Sequence, residues 1–191
     1  MVLIDGLPQS LKVGGKEFEI DVDFRLWLLL DELLFDKEIK ENERAGFAKL
    51  LVFGDENINI SQAFEQILWF YSCGEQQQKQ RKRENKGIKE KAYDYRADWG
   101  LIYAAFLQAY NIDLTKKETG LHWWQFRALF NALPEDCNFV KIMGYRTMDL
   151  SKISNKGQRQ AYMRLKEIYR LGNGMTTEEK AANAGALFAP R

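Results

Sequence analysis

Few side chains in this sequence could carry catalytic or metal chemistry. The chain has one histidine, His122, and two cysteines, Cys73 and Cys137, which lie too far apart for a zinc or redox motif. The chain therefore has too few histidines for a histidine-based metal site, and only one candidate histidine for a catalytic triad. The sequence also lacks phosphate-binding glycine loops and the common hydrolase signatures. We expect no enzyme activity, no cofactor and no bound metal.

We expect these polar residues to have structural roles instead. At roughly 100° per residue, His122 falls within the apolar arc of a predicted helix, where a lone histidine is most often a hydrogen-bonded core residue. The two cysteines are expected to be structural thiols in a reducing compartment. Asp21 and Asp23 could hold a hard cation. An aspartate directly before Phe24 is better suited to cap a helix that begins there.

Two tryptophans fall outside the apolar faces of their predicted helices. Trp69 projects among polar residues of a helix predicted to begin at Ser61, and Trp124 points away from the face that holds Trp123, beside Arg127. Tryptophan, tyrosine and arginine supply much of the binding energy at protein interfaces. A partner surface and a helix that is buried on two sides both account for this pattern, and both alternatives stay open.

Residues 75–91 form a basic, polar segment with seven Lys or Arg and three Asp or Glu. Ile88 is its one strong hydrophobe and it has no aromatic residue, so we predict a solvated linker. Its candidate electrostatic contacts, toward an acidic partner or nucleic acid, are Lys79, Arg81, Lys82 and Arg83. Nucleic-acid binders usually combine such a run with stacking aromatics, which makes a nucleic-acid-binding regulator the less favoured interpretation.

The composition predicts a folded, soluble protein. Of 191 residues, 46% are hydrophobic and 13% aromatic, with a net charge of +1, which excludes a wholly disordered chain. The balanced charge gives no overall attraction to nucleic acid or an anionic membrane. No apolar run reaches the ~20 residues of a membrane helix, and the first residues do not resemble a signal peptide. We therefore expect a cytoplasmic protein that does not bind membranes.

Hydrophobic periodicity predicts a mainly α fold: a helical domain with a short N-terminal β-hairpin and a charged internal linker. Gly14-Gly15 between two short alternating runs predicts the hairpin. The helical stretches are predicted at residues 24–35, 41–53, 61–73, 97–110, 119–133, 134–143 and 155–171.

We predict four parts along the chain. They are an N-terminal hairpin and helices at 1–74, the linker at 75–91, a C-terminal helical part at 92–171 and a flexible tail at 172–191. Residues 1–74 carry 7 basic and 14 acidic residues, net −7, whereas residues 92–191 carry 14 and 10, net +4. These opposite charges could support head-to-tail self-association.

Five segments of the sequence carry a resemblance to a known family. They are Asp23-Phe-Arg-Leu-Trp, Ile67-Leu-Trp-Phe-Tyr-Ser-Cys-Gly, Leu101-Ile-Tyr-Ala-Ala-Phe-Leu-Gln, Leu121-His-Trp-Trp-Gln-Phe-Arg-Ala-Leu-Phe and Lys141-Ile-Met-Gly-Tyr-Arg-Thr-Met-Asp-Leu. Over roughly residues 1–171, the chain resembles a small protein family of tailed phages and of prophages of Gram-positive bacteria. The family is named for gene product fifteen.

The resemblance implies a role in tail morphogenesis. Members are encoded in the tail module, typically just before the tape-measure gene, where tail assembly chaperones are often found. Such a chaperone binds the helical tape-measure protein and helps tail-tube subunits polymerise around it. It would act in the cytoplasm of the infected or lysogenic host and be absent from the mature virion. The alternative is a structural tail or neck component retained in the virion. The family carries no catalytic residues, so none are assigned.

A chaperone would contact the tape-measure protein or the tail-tube protein through side chains outside its own core, by helix-in-groove packing. The candidate partner contacts are Trp69, Trp124, Arg127, Tyr145 and Arg146. The last two are predicted to lie in a turn, because Gly144 is expected to end the helix before them.

Overall fold

The computed structural model describes residues 6–75, 91–172 and 174–187. Within them the predicted mainly α fold with one N-terminal hairpin is confirmed. Nearly all of the predicted linker, with Lys79, Arg81, Lys82 and Arg83, lies outside the described residues. The elements are β1 (Ser10–Val13), β2 (Lys16–Glu19), α1 (Phe24–Phe35), α2 (Glu41–Phe53), α3 (Ile60–Tyr71), α4 (Trp99–Tyr110), α5 (Trp123–Asn131), α6 (Asn138–Thr147), α7 (Lys156–Ile168) and α8 (Thr177–Ala186), with short 3-10 turns at Lys117–Thr119 and Leu150–Lys152.

The described residues form two compact units. The first takes those up to residue 75 together with 117–132, and the second takes the rest. The sequence predicts residues 117–132 as part of the C-terminal helical part. The structure differs because α5 packs against α1, and because the Phe24 N–H donates to the Leu121 carbonyl at 3.0 Å. Hydrophobic periodicity reports local structure, so it could not reveal a unit built from two separate segments.

The hairpin covers one side of the first unit. β1 and β2 pair antiparallel, and Gly14 and Gly15 have φ values of 59° and 81°. A two-residue hairpin turn requires positive φ at both positions, which glycine adopts without strain. Leu11 and Val13 are buried on one face of β1, which packs on α3.

The core of the first unit is largely aromatic. α1 begins at Phe24 as predicted, since the Asp23 carboxylate accepts a hydrogen bond from the Arg25 N–H at 2.9 Å. The Trp27 ring is fully buried and lies 4.2 Å from that of Phe70, centroid to centroid. The buried aromatic residues of this unit are Phe24, Trp27, Phe53, Phe70, Trp123, Phe126 and Phe130.

The second unit consists of α4 and α6–α8. A core cluster of Ile142, Leu165 and Tyr169 is surrounded by partly buried side chains that include Tyr145. The prediction that Gly144 ends the helix was wrong, because α6 continues to Thr147. A glycine inside a helix costs only about 1 kcal/mol relative to alanine, and the packing of α6 against α4 and α7 offsets that cost.

The segment predicted as a flexible tail contains a helix that periodicity did not reveal. α8 begins with a capping box, in which the Thr176 hydroxyl accepts from the Glu179 N–H and the Glu179 carboxylate accepts from the Thr176 N–H. This reciprocal pair satisfies two backbone donors at the start of a helix. None of the described helices is both long and apolar enough to cross a lipid bilayer.

Candidate partner-binding site

The structure brings together the two tryptophans that the sequence placed outside their apolar faces. Trp69 on α3 and Trp124 on α5 meet edge to face, with ring centroids 5.6 Å apart. The Trp69 side chain is 38% exposed, and Trp124 is half-buried. A Cβ at Gly74 would lie 3.2 Å from the Trp124 ring, so glycine leaves room for it. We call Trp69 and Trp124 the aromatic pair.

The backbone beneath the aromatic pair is the C-terminal end of α3. The Gly74 N–H donates to the Trp69 carbonyl at 2.9 Å, and the Cys73 N–H donates to the Phe70 carbonyl at 3.0 Å. These two bonds form a Schellman motif, with Cys73 in the left-handed conformation at φ 57°. The motif ends the helix sharply and holds Trp69 in its last turn.

Two adjacent indoles complete this helix end. The Trp123 indole N–H donates to the Tyr71 carbonyl, and the Trp124 indole N–H donates to the Phe70 carbonyl, both at 2.9 Å. The last carbonyls of a helix lack intrahelical partners. The Trp123 bond supplies a donor to the Tyr71 carbonyl, and the Trp124 bond adds a second donor to the Phe70 carbonyl, which also accepts from the Cys73 N–H. Trp124 is therefore part of the fold as well as of the surface, and Trp69 is the stronger candidate for contact with a partner.

Arg127 lies beneath the same helix end. Its guanidinium carbon is 5.4 Å from the ring centroid of Trp123 and 5.9 Å from that of Tyr71, which is cation–π geometry. Burial raises the pKa of the nearby Cys73 thiol to about 11, although the positive charge of Arg127 acts in the opposite direction. The thiol is thus protonated at neutral pH and is a poor nucleophile. Both Cys73 and Cys137 are free.

Arg146 is not at the surface, where the sequence predicts it, but buried. Its side chain is 4% exposed, and its guanidinium makes a bidentate ion pair with the equally buried Asp98, at 2.6 and 2.9 Å. It also donates to the carbonyls of Tyr169 and Ala92, at 2.6 and 3.1 Å. Because α6 continues past Gly144, Arg146 faces the interior of the second unit, and we assign it a structural role.

Tyr145 also packs within the second unit. Its ring stacks on Tyr169 at a centroid distance of 5.8 Å, and it lies 6.3 Å from the ring of Tyr162. These contacts bury part of the Tyr145 ring, so less of it is available to a partner. The aromatic pair belongs to the first unit and Tyr145 to the second.

His122 is buried and hydrogen-bonded, as the sequence indicated, but it lies just before α5 and not within the helix predicted at 119–133. It is the N-cap of α5, where Nδ1 accepts from the Trp124 N–H at 3.0 Å. Nε2 lies 3.0 Å from the Pro8 carbonyl oxygen, so Nε2 must carry the proton and donate it. Burial lowers the pKa of His122, and the bond to Pro8 only partly opposes this.

We expect the stability of the first unit to fall in mild acid. Because the folded-state pKa of His122 lies below the unfolded value of about 6.5, the unfolded chain binds the proton more readily. The contribution of neutral His122 to the free energy of unfolding is then fully present above about pH 6.5. It declines as the pH falls from there toward the folded-state pKa. Urea midpoints measured between pH 5 and pH 8 check this. His122→Asn keeps an N-cap side chain and should flatten the decline; an unchanged decline in this variant would contradict the assignment.

The two aspartates considered as a cation site are engaged locally. Asp23 forms an ion pair with Arg25 at 2.9 Å, and the Asp21 carboxylate accepts from the Asp23 N–H at 2.8 Å. Across the described ranges, no three His, Cys, Asp or Glu side chains are placed to share a metal ion. Their observed role is to order the turn that leads into α1.

Comparison with known protein families matches residues 3–171 to the family described as Bacteriophage Gp15 protein. No curated protein and no solved structure matched the chain. The matched range includes Trp69, Trp124, Arg127 and Arg146, and it points to a structural or tail-related phage protein. The chain belongs to the Bacteriophage Gp15 protein family, as the resemblance in the sequence indicated.

Proposed function

We propose that this protein is a non-enzymatic tail assembly chaperone. It would bind the phage tape-measure protein, tail-tube subunits or both during tail morphogenesis, in the cytoplasm of the infected or lysogenic host. Membership of the Bacteriophage Gp15 protein family supports a role in phage assembly. The observation that carries the proposal is the aromatic pair, which presents a large apolar side chain at the surface of the first unit.

The way the aromatic pair is held suits a binding role. The Schellman motif and the Trp124 indole bond fix the helix end that carries Trp69. A side chain that is already ordered loses little conformational entropy when it binds. A tape-measure helix has apolar stripes that would aggregate before the tube encloses them. Packing against exposed aromatic side chains would shield such stripes.

Co-expression with the tape-measure and tail-tube proteins of the same phage tests the proposal. The wild-type chain should co-purify with at least one of them, and Trp69→Ala should weaken the complex about thirtyfold, the effect of a hot-spot residue worth ~2 kcal/mol. Trp99→Ala is the matched control, because Trp99 is 64% exposed in the second unit. If neither tail protein co-purifies, the proposed function is wrong. If a complex forms and both variants weaken it equally, the aromatic pair is not its contact site.

Mass spectrometry of purified phage particles separates a chaperone from a tail or neck component. A chaperone should leave the assembly and be absent from the particles. Detection of the protein at a fixed ratio to tail-tube subunits would favour the alternative of a structural component retained in the virion.

A further inference from the structure

α2 has apolar residues on two sides, and only one side is covered by the first unit. Ala48, Val52 and Phe53 face the core and are buried. Phe47 and Leu50, on another face, are 46% and 51% exposed. One covered face is enough to attach a helix to its unit, so packing within the unit does not account for the second apolar face.

The exposed face of α2 forms one wall of an open groove. The loop between α2 and α3 forms the other wall, and the groove has a volume of about 720 Å³. Phe47, Leu50, Ile58 and Ile60 supply its apolar side chains, and Ile60 is 50% exposed. We call it the α2 groove. It lies at the start of α3, whereas Trp69 of the aromatic pair lies in the last turn of that helix.

Gly46 lies on the groove face of α2, in the same row as Glu43 and Leu50. A Cβ there would meet no atom within 4 Å, and Gly46 does not have a positive φ. Neither packing nor backbone conformation in the free protein therefore requires glycine, which weakens a helix interior. A bare backbone at this position lets a second backbone approach closely.

The charges at the α2 groove indicate the chemistry of its partner. Glu43, Asp55 and Glu56 line it, whereas its basic residue, Lys49, has its ammonium group bonded to the Gly54 carbonyl at 3.2 Å. An apolar strip bordered by carboxylates is complementary to a helix with apolar residues on one face and Lys or Arg beside them.

We infer that the α2 groove binds a basic amphipathic helix of a partner protein, with Gly46 as the point of closest approach. The inference deepens the proposed function, because it supplies a docking surface and a partner chemistry for the chaperone. It can fail by itself, since co-purification with a tail protein could depend on the aromatic pair alone.

Binding of three synthetic 18-residue peptides to the full chain, measured by fluorescence anisotropy, tests the inference. The first has Leu on one helical face and Lys elsewhere, the second has Glu in place of Lys, and the third is a scrambled Leu/Lys sequence. We expect the first to bind and the other two to bind at least about tenfold more weakly. Equal binding of the scrambled peptide would show that general charge attraction accounts for the binding, and would overturn the inference.

Matched variants locate the binding. Leu50→Gln and Gly46→Gln should each weaken binding of the Leu/Lys peptide about tenfold. Leu29→Gln is the control, because Leu29 is 56% exposed on α1 outside the groove. Equal effects of Leu29→Gln and Leu50→Gln would overturn the inference. So would a wild-type dimer that Leu50→Gln converts to a monomer, since the groove would then hold a second copy of the chain.

Discussion

Arg146→Leu is expected to unfold the second unit or to bring it close to unfolding, with a loss of about 3–5 kcal/mol in its free energy of unfolding. The substitution leaves the buried Asp98 carboxylate without its ion pair. It also removes the donors to the carbonyls of Tyr169 and Ala92. An unpaired buried charge is costly because it has lost both its partner and its hydration. Hydrogen exchange resolved by unit is the measurement, since two units can unfold separately.

Arg170→Leu is the control for that result. Arg170 pairs with Glu167 at 3.1 Å, and both side chains are largely exposed, so its loss should cost less than ~1 kcal/mol. The double variant Arg146→Leu with Asp98→Asn should be more stable than Arg146→Leu alone, because no charge is then left buried. Equal destabilisation by Arg146→Leu and Arg170→Leu would contradict the role assigned to the ion pair.

Trp123→Ala is expected to destabilise the first unit by about 3–5 kcal/mol. Trp123 is fully buried, and its ring stacks on those of Tyr71 and Phe126, with centroid distances of 5.5 and 5.8 Å. Its truncation would leave a cavity in the aromatic core and remove the indole donor to the Tyr71 carbonyl. Urea denaturation followed by circular dichroism would measure the loss.

Trp124 offers a comparison at the neighbouring position. Trp124→Ala should lower the free energy of unfolding less than Trp123→Ala does. Trp124 is only half-buried, so folding removes less of its surface from water. Trp124→Phe removes the indole N–H and retains an aromatic ring, so it should cost about 0.5–1.5 kcal/mol, the value of one hydrogen bond. If Trp124→Ala destabilises as strongly as Trp123→Ala, α5 is in effect buried on two sides and Trp69 remains the sole aromatic anchor.

Local rules accounted for much of the fold. The positive φ required by a tight turn identified Gly14-Gly15, and the preference of aspartate for helix N-caps placed the start of α1 at Phe24. The capping box of Thr176 and Glu179 is also a local sequence pattern. The many small residues around it nevertheless favoured the prediction of a flexible tail. These features depend on residues that are close in sequence, which is why sequence patterns can reveal them.

The candidate site depends on contacts between distant segments. Periodicity identified Trp69 and Trp124 separately, yet their mutual contact depends on the packing of α3 against α5, which no local pattern contains. Arg146 was misplaced for a related reason: the ending of α6 depends on packing around it rather than on Gly144 alone. The exposed face of α2 was missed because Phe47 and Leu50 look like core residues until the core is known.

Because α5 completes the first unit, that unit cannot finish folding while only its N-terminal segment has been synthesised. Residues 75–116 must be synthesised first, which takes several seconds at about 5–20 residues per second. During that time Trp27 and Phe70 lack the cover that α5 later gives them. Bringing together segments so far apart in sequence also slows the search for native contacts. A protein proposed to shield the apolar surface of others thus passes through a nascent stage in which its own aromatic core is open to aggregation.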